Sequence, residues 1–290
     1  MKFDSYHPAI NFIFFSSVLL FSFWFTQPVF LIVSYLCAFL YSTYLGKWKA
    51  LLFDFAALIL IVVYALYYAS YTHFGVTVLA LNYVDNSITL EALCGGLIQG
   101  FHLSTALMWF YCTVKIVSSD KVMYLLGKIW PKLSLFFSIF LRAGPQLVDC
   151  FLRVNRAQTA LGRGIGQGNW FRCGLNLLRV LSIVITWSLE RLVDSAASMK
   201  SRGYSLKGRT AFSIYRFDNR DRSVVIVMFS CLIAVAMAIS LDQTTMYINP
   251  EIILNPITSW SYVFYSIYAF YCLLPMMLQL WSELRHNAGF

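Results

Sequence analysis

The chain has 290 residues, of which 59% are hydrophobic, 18% aromatic and 12% charged. Its mean hydropathy is +0.67. Soluble proteins average about half apolar and a quarter charged, and a water-soluble globule of this size could not hide so much apolar surface. Lipid is therefore the solvent for most of the chain, and disorder, collagen, coiled coil and a secreted disulfide scaffold are excluded. The net charge of +9 could suggest a nucleic-acid partner, but no Lys or Arg falls in 50–114 or 223–284. That spacing follows the positive-inside rule of membrane proteins instead, and no nucleic acid is expected.

Crossing a bilayer takes about 20 apolar residues, with a range of roughly 17–25. Six stretches qualify: Ala9–Thr26, Pro28–Leu45, Leu51–Tyr71, Leu93–Val114, Ser223–Leu241 and Thr258–Trp281. The first has no basic leader or small-residue cleavage site and is not a cleavable signal. Lys47 and Lys49 put the second connection in the cytoplasm. Segment 72–92, with Asp85 and Glu91, and segment 242–257, with Asp242 and Glu251, lack Lys and Arg and lie outside. Residues 118–222 and both termini are then cytoplasmic, in the cell membrane. The first two stretches nearly touch at Gln27, so a very tight connection is required there. The chain divides into four spans (1–117), a cytosolic region (118–222) and two further spans (223–290). The fold class is an all-α integral membrane protein.

Polar side chains inside the spans are functional candidates by default. Asp54 lies one turn from the cytoplasmic end and is expected to snorkel to the interface. Gln99 and His102, three apart, share a helical face and are expected to hydrogen-bond a neighbouring helix. Pro275 is expected to kink the last span. Tyr71, Trp260 and Trp281 read as interface anchors. The seven cysteines form no CxxC pair and the four histidines no HExxH, so neither a zinc site nor a disulfide framework is expected.

Residues 118–222 hold 17 of the 22 Lys and Arg yet stay rich in Leu, Val and Ile. A short helix, Ser119–Trp130, opens the region with Ser119 as N-cap, and Pro131 ends it. Two helical stripes follow at steps of three and four. One contains Leu147, Cys150, Phe151, Val154, Gln158 and Leu161, the other Leu181, Val184, Ile185, Ser188, Leu192, Ser195 and Met199. Arg153, Arg156, Arg179, Arg191 and Lys200 fall on the opposite faces. Such amphipathic helices lie at a membrane face or bridge to a cytosolic partner.

Both helices end alike. Ala157 is followed six residues later by Arg163 and Gly164, and Ala196 by Arg202 and Gly203. Glycine at C′ stops a helix, and arginine in the last turn complements the negative end of the dipole. A guanidinium held at a helix tip also presents a rigid fork to a carboxylate or to carbonyls. The second helix is about 40 Å long at 1.5 Å per residue, so the two arginines suit two sockets on two similar subunits. The glycines 162, 164, 166 and 168 lack GxxxxGK[ST] and a preceding strand, and read as a flexible turn rather than a phosphate cradle.

These features resemble the transmembrane T component of energy-coupling factor transporters, modular ABC importers of vitamins and transition-metal ions. The likeness is sharpest in Leu141-Arg142-Ala143-Gly144-Pro145, Arg156-Ala157-Gln158, the two Arg-Gly ends and Gly208-Arg209-Thr210, with His7-Pro8 before the first apolar run. The family usually has Ala-Arg-Gly at both ends. Here Gly162 and Ser201 precede the arginines, and Gly162 is placed in a last helical turn, where glycine costs up to about 1 kcal/mol relative to Ala.

The resemblance implies that Arg163 and Arg202, with Gly162, Gly164, Ser201 and Gly203, dock into grooves on two cytosolic ABC ATPase subunits. It also implies that a small membrane substrate-binding protein, the S component, packs on the helices. Ser195, Ala196, Ala197 and Met199, with Val154 and Leu161, are the residues for that contact or for contact between the two helices. The chain itself would be non-catalytic and carry no cofactor, with ATP and Mg on the partner ATPases.

Two other classes compete. A conventional ABC permease forming its own path expects an EAA-type pattern with a downstream Gly and one docking site per chain. An intramembrane enzyme expects paired Glu, His or Asp within spans, where only Asp54 and His102 occur.

Overall fold

The computed structural model describes residues 3–72, 74–81, 87–204, 206, 215–248 and 252–287. Lys2, His73, Asp85, Gly208, Arg209, Thr210 and Glu251 lie outside the described residues. After a 3-10 turn, Phe3–Ser5, the helices are α1 (Pro8–Trp24), α2 (Pro28–Tyr71), α3 (Leu90–Ile116), α4 (Ser119–Ile129), α5 (Pro131–Ala160), α6 (Trp170–Ser201), α7 (Asn219–Ser240) and α8 (Ser259–Asn287). Two small antiparallel hairpins, β1–β2 (Val78–Leu81, Ser87–Thr89) and β3–β4 (Met246–Tyr247, Ile253–Leu254), complete the described elements. The protein is all-α and built for a membrane. Among the described residues five helices, α2, α5, α6, α7 and α8, are long and apolar enough to cross one by length and composition; α5 and α6 fall in the region expected to be cytosolic, whereas α1, a shorter apolar helix, and α3 are not among the five. The chain divides into two compact units, Met1–Val122 with Tyr215–Phe290, and Met123–Ile214.

In the first unit, α2 holds two of the expected apolar segments in one helix of 44 residues, broken at Lys47 (φ 51°, ψ −133°). The chain folds back there. Before the break, Tyr35 meets Phe101 and Tyr41 meets Trp109, so α2 runs parallel to α3. After it the direction reverses. The Ser104 hydroxyl donates to the Ala57 carbonyl at 2.7 Å, Gly100 abuts Ile61, and Gly96 abuts Ala65. A Cβ at Gly96 or Gly100 would lie 2.8 or 2.9 Å from the backbone oxygen it faces. Small residues spaced by four thus let two backbones touch, as helices in lipid require.

The remaining apolar helices close around aromatic rings. Phe14, Phe15 and Tyr41 gather at Trp109, and Phe21, Phe25 and Phe30 at Tyr268. Polar ties span helices. His102 Nδ1 meets the Ser22 carbonyl at 2.5 Å, Ser17 meets the Tyr271 hydroxyl at 2.5 Å, and Trp109 donates to Ser34 at 3.2 Å. His102 therefore bonds a neighbouring helix as expected, but Gln99 is exposed and the two do not share a buried face. The α8 helix continues through Pro275. Tyr71, Trp260 and Trp281 are exposed at helix ends.

The tight connection at Gln27 is held from outside. The N–H groups of Thr26 and Gln27 both donate to the Thr244 carbonyl at 3.1 Å, Met246 N–H donates to Thr26 Oγ1 at 2.8 Å, and Gln27 donates to the Tyr265 hydroxyl at 2.6 Å. The α7–α8 loop supplies the acceptors that a three-residue turn cannot provide for itself.

Two expectations are corrected here. Asp54 does not snorkel; it is fully buried, because the helix turns that position toward the interior of the bundle rather than toward the interface. Ser119 is not the N-cap of α4. The Ser118 carbonyl takes the first helical bonds from Lys121 and Val122, which makes Ser118 the cap. Pro131 ends α4 as expected and also opens α5 at its first turn, where proline's missing N–H costs nothing. Lys121 is buried and donates to the Ile116 carbonyl at 3.1 Å and to both the backbone and the carboxylate of Asp4.

Candidate docking site on two helix ends

The second unit is built on α5 and α6. Near the α5–α6 connection, Cys150 and Val154 of α5 pack with Val180 and Val184 of α6. Small and β-branched side chains let the two axes approach there. Toward the other end the helices part and leave a groove of about 670 Å3, lined by Leu135, Ile139 and Leu147 of α5 and by Leu192, Ser195 and Met199 of α6. Arg142, Arg191 and Arg202 line the same groove. Arg191 is thus not on the far face of its helix, as the stripe suggested. Arg191 lies three residues after Ser188 and four before Ser195, so helical spacing places it beside the stripe.

Both helix ends carry the six-to-one and five-to-two backbone bonds of the Schellman motif. In α5 the Gly162 N–H donates to the Thr159 carbonyl at 3.1 Å and the Arg163 N–H to the Gln158 carbonyl at 2.9 Å. In α6 the Gly203 N–H donates to the Lys200 carbonyl at 3.1 Å and the Tyr204 N–H to the Met199 carbonyl at 3.1 Å. Gly162 and Gly203 take the left-handed conformation, with φ of 72° and 74°. The two ends therefore differ in register. Gly203, after Arg202, stops α6 as expected. At the first end the stopping residue is Gly162, before Arg163, and not Gly164. Gly162 lies outside the last helical turn, so no helix-interior cost applies to it; its backbone requires glycine.

Gly164 has another task. It is buried, and a Cβ there would stand 2.9 Å from Thr159 Cα. The turn it begins is not a loose run of glycines. Its N–H donates to Gln167 Oε1 at 3.0 Å, its carbonyl accepts from Asn176 Nδ2 at 3.1 Å, and the Ile165 N–H donates to Asn155 Oδ1 at 3.2 Å. Three amide side chains, from α5, the turn and α6, knit the loop that presents Arg163. Asn155, Gln167 and Asn176 carry no pattern by which a sequence reading could select them.

Arg163 and Arg202 are both exposed. Asn176, which holds the Arg163 loop, lies 26 residues before Arg202 on α6, about 39 Å at 1.5 Å per residue. The two guanidinia thus stand at opposite ends of one helix pair. Of the remaining predicted contact residues, Val154 is buried between the helices, Ser195 and Met199 line the groove, and Ala196, Ala197 and Leu161 are exposed. Ser201 is exposed and donates its hydroxyl to the Ser198 carbonyl at 2.8 Å.

Fold and helix ends together define a polytopic helical membrane protein with a paired-helix unit carrying an arginine at each extremity. No family model matches the chain. It is 33% identical over 96 residues to the energy-coupling factor transporter transmembrane protein EcfT of Lactococcus lactis, covering 33% of this chain and 36% of that protein. It is 28% identical over 159 residues to EcfT of Bacillus selenitireducens, covering 50% and 59%, and 30% identical over 91 residues to EcfT of Lactobacillus helveticus, covering 31% and 33%. The matches span between a third and three-fifths of the relatives' own length. Over these stretches the chain is similar to the transmembrane proteins of energy-coupling factor transporters.

Proposed function

We propose that this chain is the coupling subunit of an ABC-type importer, lying in the cytoplasmic membrane with both termini and the α5–α6 unit in the cytoplasm. Two ATPase subunits, which bind and hydrolyse ATP with Mg, dock on Arg163 and Arg202. The helix pair hands their closure to a small membrane protein that binds a vitamin or a transition-metal ion. The chain itself supplies no catalytic group. The observation that carries this reading is the pair of arginine-bearing helix ends about 39 Å apart on one compact unit. One ATPase drawing on one end and its twin on the other would load both ends of a single lever. Coupling of this kind needs a contiguous packed element, and the valine contacts between α5 and α6 supply one.

The test is purification of the tagged chain from its own membranes in mild detergent, with mass identification of what accompanies it. Two P-loop ATPase subunits and a small hydrophobic protein are expected with the wild type. The ATPases should be lost from the Arg163→Glu, Arg202→Glu double variant, while the chain still inserts. Retention of the ATPases by the double variant would overturn the docking role.

A further inference from the structure

The basic end of α7 and α8 carries a second candidate site, unrelated to the helix pair. The two helices part where α7 begins and α8 finishes, leaving a groove of about 480 Å3, within the size range of small-ligand sites. Its walls are Val224 and Val227 of α7 with Leu274 and Met277 of α8. Arg220 stands at its edge, with its guanidinium 4.6 Å from the centre of the Tyr6 ring. Ser223 also faces the groove, but its hydroxyl already donates to the Asn219 carbonyl at 3.2 Å. The lining therefore has one charged side chain, Arg220, and, apart from Tyr6, Ser223 and Trp281, apolar side chains over the rest.

Depth fixes what such a groove suits. Arg220 lies just outside the apolar segment that starts at Ser223, and Trp281, exposed at the end of α8, lines the same groove. Tryptophan and arginine together mark headgroup level. In sequence, Arg216 and Arg222 flank Arg220, with Asp218 and Asp221 among them. The Asp221 carboxylate is turned to the Asp218 N–H at 3.2 Å.

We propose that this groove binds one anionic phospholipid, with its phosphate on Arg220 and an acyl chain between α7 and α8. Basic pockets between spans recognise acidic headgroups in this way, and an amphiphile with one anionic head and an apolar tail matches a groove with one cation and apolar walls.

Native mass spectrometry of the full chain in mild detergent, loaded with phosphatidylglycerol or phosphatidylcholine, tests this. The wild type should retain phosphatidylglycerol about tenfold better, the margin of one charge-assisted contact. Arg220→Gln should abolish that preference and Arg222→Gln leave it intact. Met277→Trp, at an exposed wall position, should lower retention of both lipids. Equal retention of the two lipids by the wild type, equal losses from the two arginine variants, or full retention by Met277→Trp would each overturn the proposal.

Discussion

Arg163 and Arg202 occupy different positions of one helix-ending motif. Arg163 is the third residue beyond α5, its N–H closing the six-to-one bond, whereas Arg202 is the last residue before the left-handed glycine that stops α6. The Arg163 backbone is thus fixed by the turn that follows it, and that of Arg202 by the helix that precedes it.

The glycines around them should accordingly respond differently. Gly162→Ala and Gly203→Ala each force a Cβ into a left-handed backbone, at a cost of about 1–2 kcal/mol. Gly164→Ala meets no dihedral penalty but drives a Cβ against Thr159 Cα, and a backbone cannot swing aside as a side chain does. Uptake and ATPase co-purification are expected to fall further for Gly164→Ala than for Gly162→Ala. Equal effects would mean that the turn after Arg163 is not rigid. Gly144→Ala, with nothing near the added methyl, is expected to be neutral or to stabilise by up to about 1 kcal/mol.

Asn176 tests the loop from the other side. Its amide donates to the carbonyls of Gly164 and Gln167, at 3.1 and 3.4 Å. Asn176→Leu leaves both acceptors without that donor at similar side-chain size. Amide hydrogen exchange over 164–168 should rise by about tenfold, given the roughly 1–2 kcal/mol that such bonds contribute. Exchange in α1–α3 should stay at the wild-type rate. An unchanged loop would refute the three-amide clamp.

In the first unit, Gly96 and Gly100 are expected to tolerate nothing larger. Gly96→Val and Gly100→Val push branched side chains into the backbone of Ala65 and Ile61. A loss of about 1–3 kcal/mol is expected for overfilling of this kind. Thermal unfolding of the detergent-purified protein measures it, with Gln99→Val, exposed one residue away, as the control that should change little.

Glu91 gives the first unit a pH dependence. Its carboxylate accepts from the Thr77 hydroxyl at 2.8 Å and from the Thr77 N–H at 3.3 Å. Backbone N–H bonds, its own first, and those from Thr77 hold it below the usual carboxylate range against the opposing pull of burial. A depressed folded-state value means that the stabilisation is fully present above the unfolded value, about 4.3, and is lost as pH falls through the folded one. The protection factor of the Thr77 amide, its exchange normalised to the intrinsic rate at each pH, should be steady above pH 5 and fall below about pH 4. In Glu91→Gln that fall should vanish.

Much of this was legible beforehand because it rests on composition and local chemistry. The apolar segments, the His7-Pro8 start of α1 and the Arg-Gly ends can each be found within a few residues of sequence. His7 caps α1 by accepting the Ala9 N–H at 3.2 Å, a purely local act. The Gly96–Gly100 pair is legible too, as a small-xxx-small signal inside an apolar run, although nothing near it names the backbone it meets. The amide clamp was not legible, because Asn155, Gln167 and Asn176 are ordinary polar residues until α5 and α6 come together.

The sequence by itself determined which segments are apolar, where charge accumulates and that two helices end in arginine and glycine, since hydropathy and helix termination depend on near neighbours. Only the tertiary structure decided that α2 doubles back at Lys47 and that Asp54 is buried. It also decided that α5 and α6 part into a groove holding Arg142, Arg191 and Arg202. Each of these depends on which backbone approaches which. That approach is set by side-chain volume on the facing helix, information that lies tens of residues away along the chain.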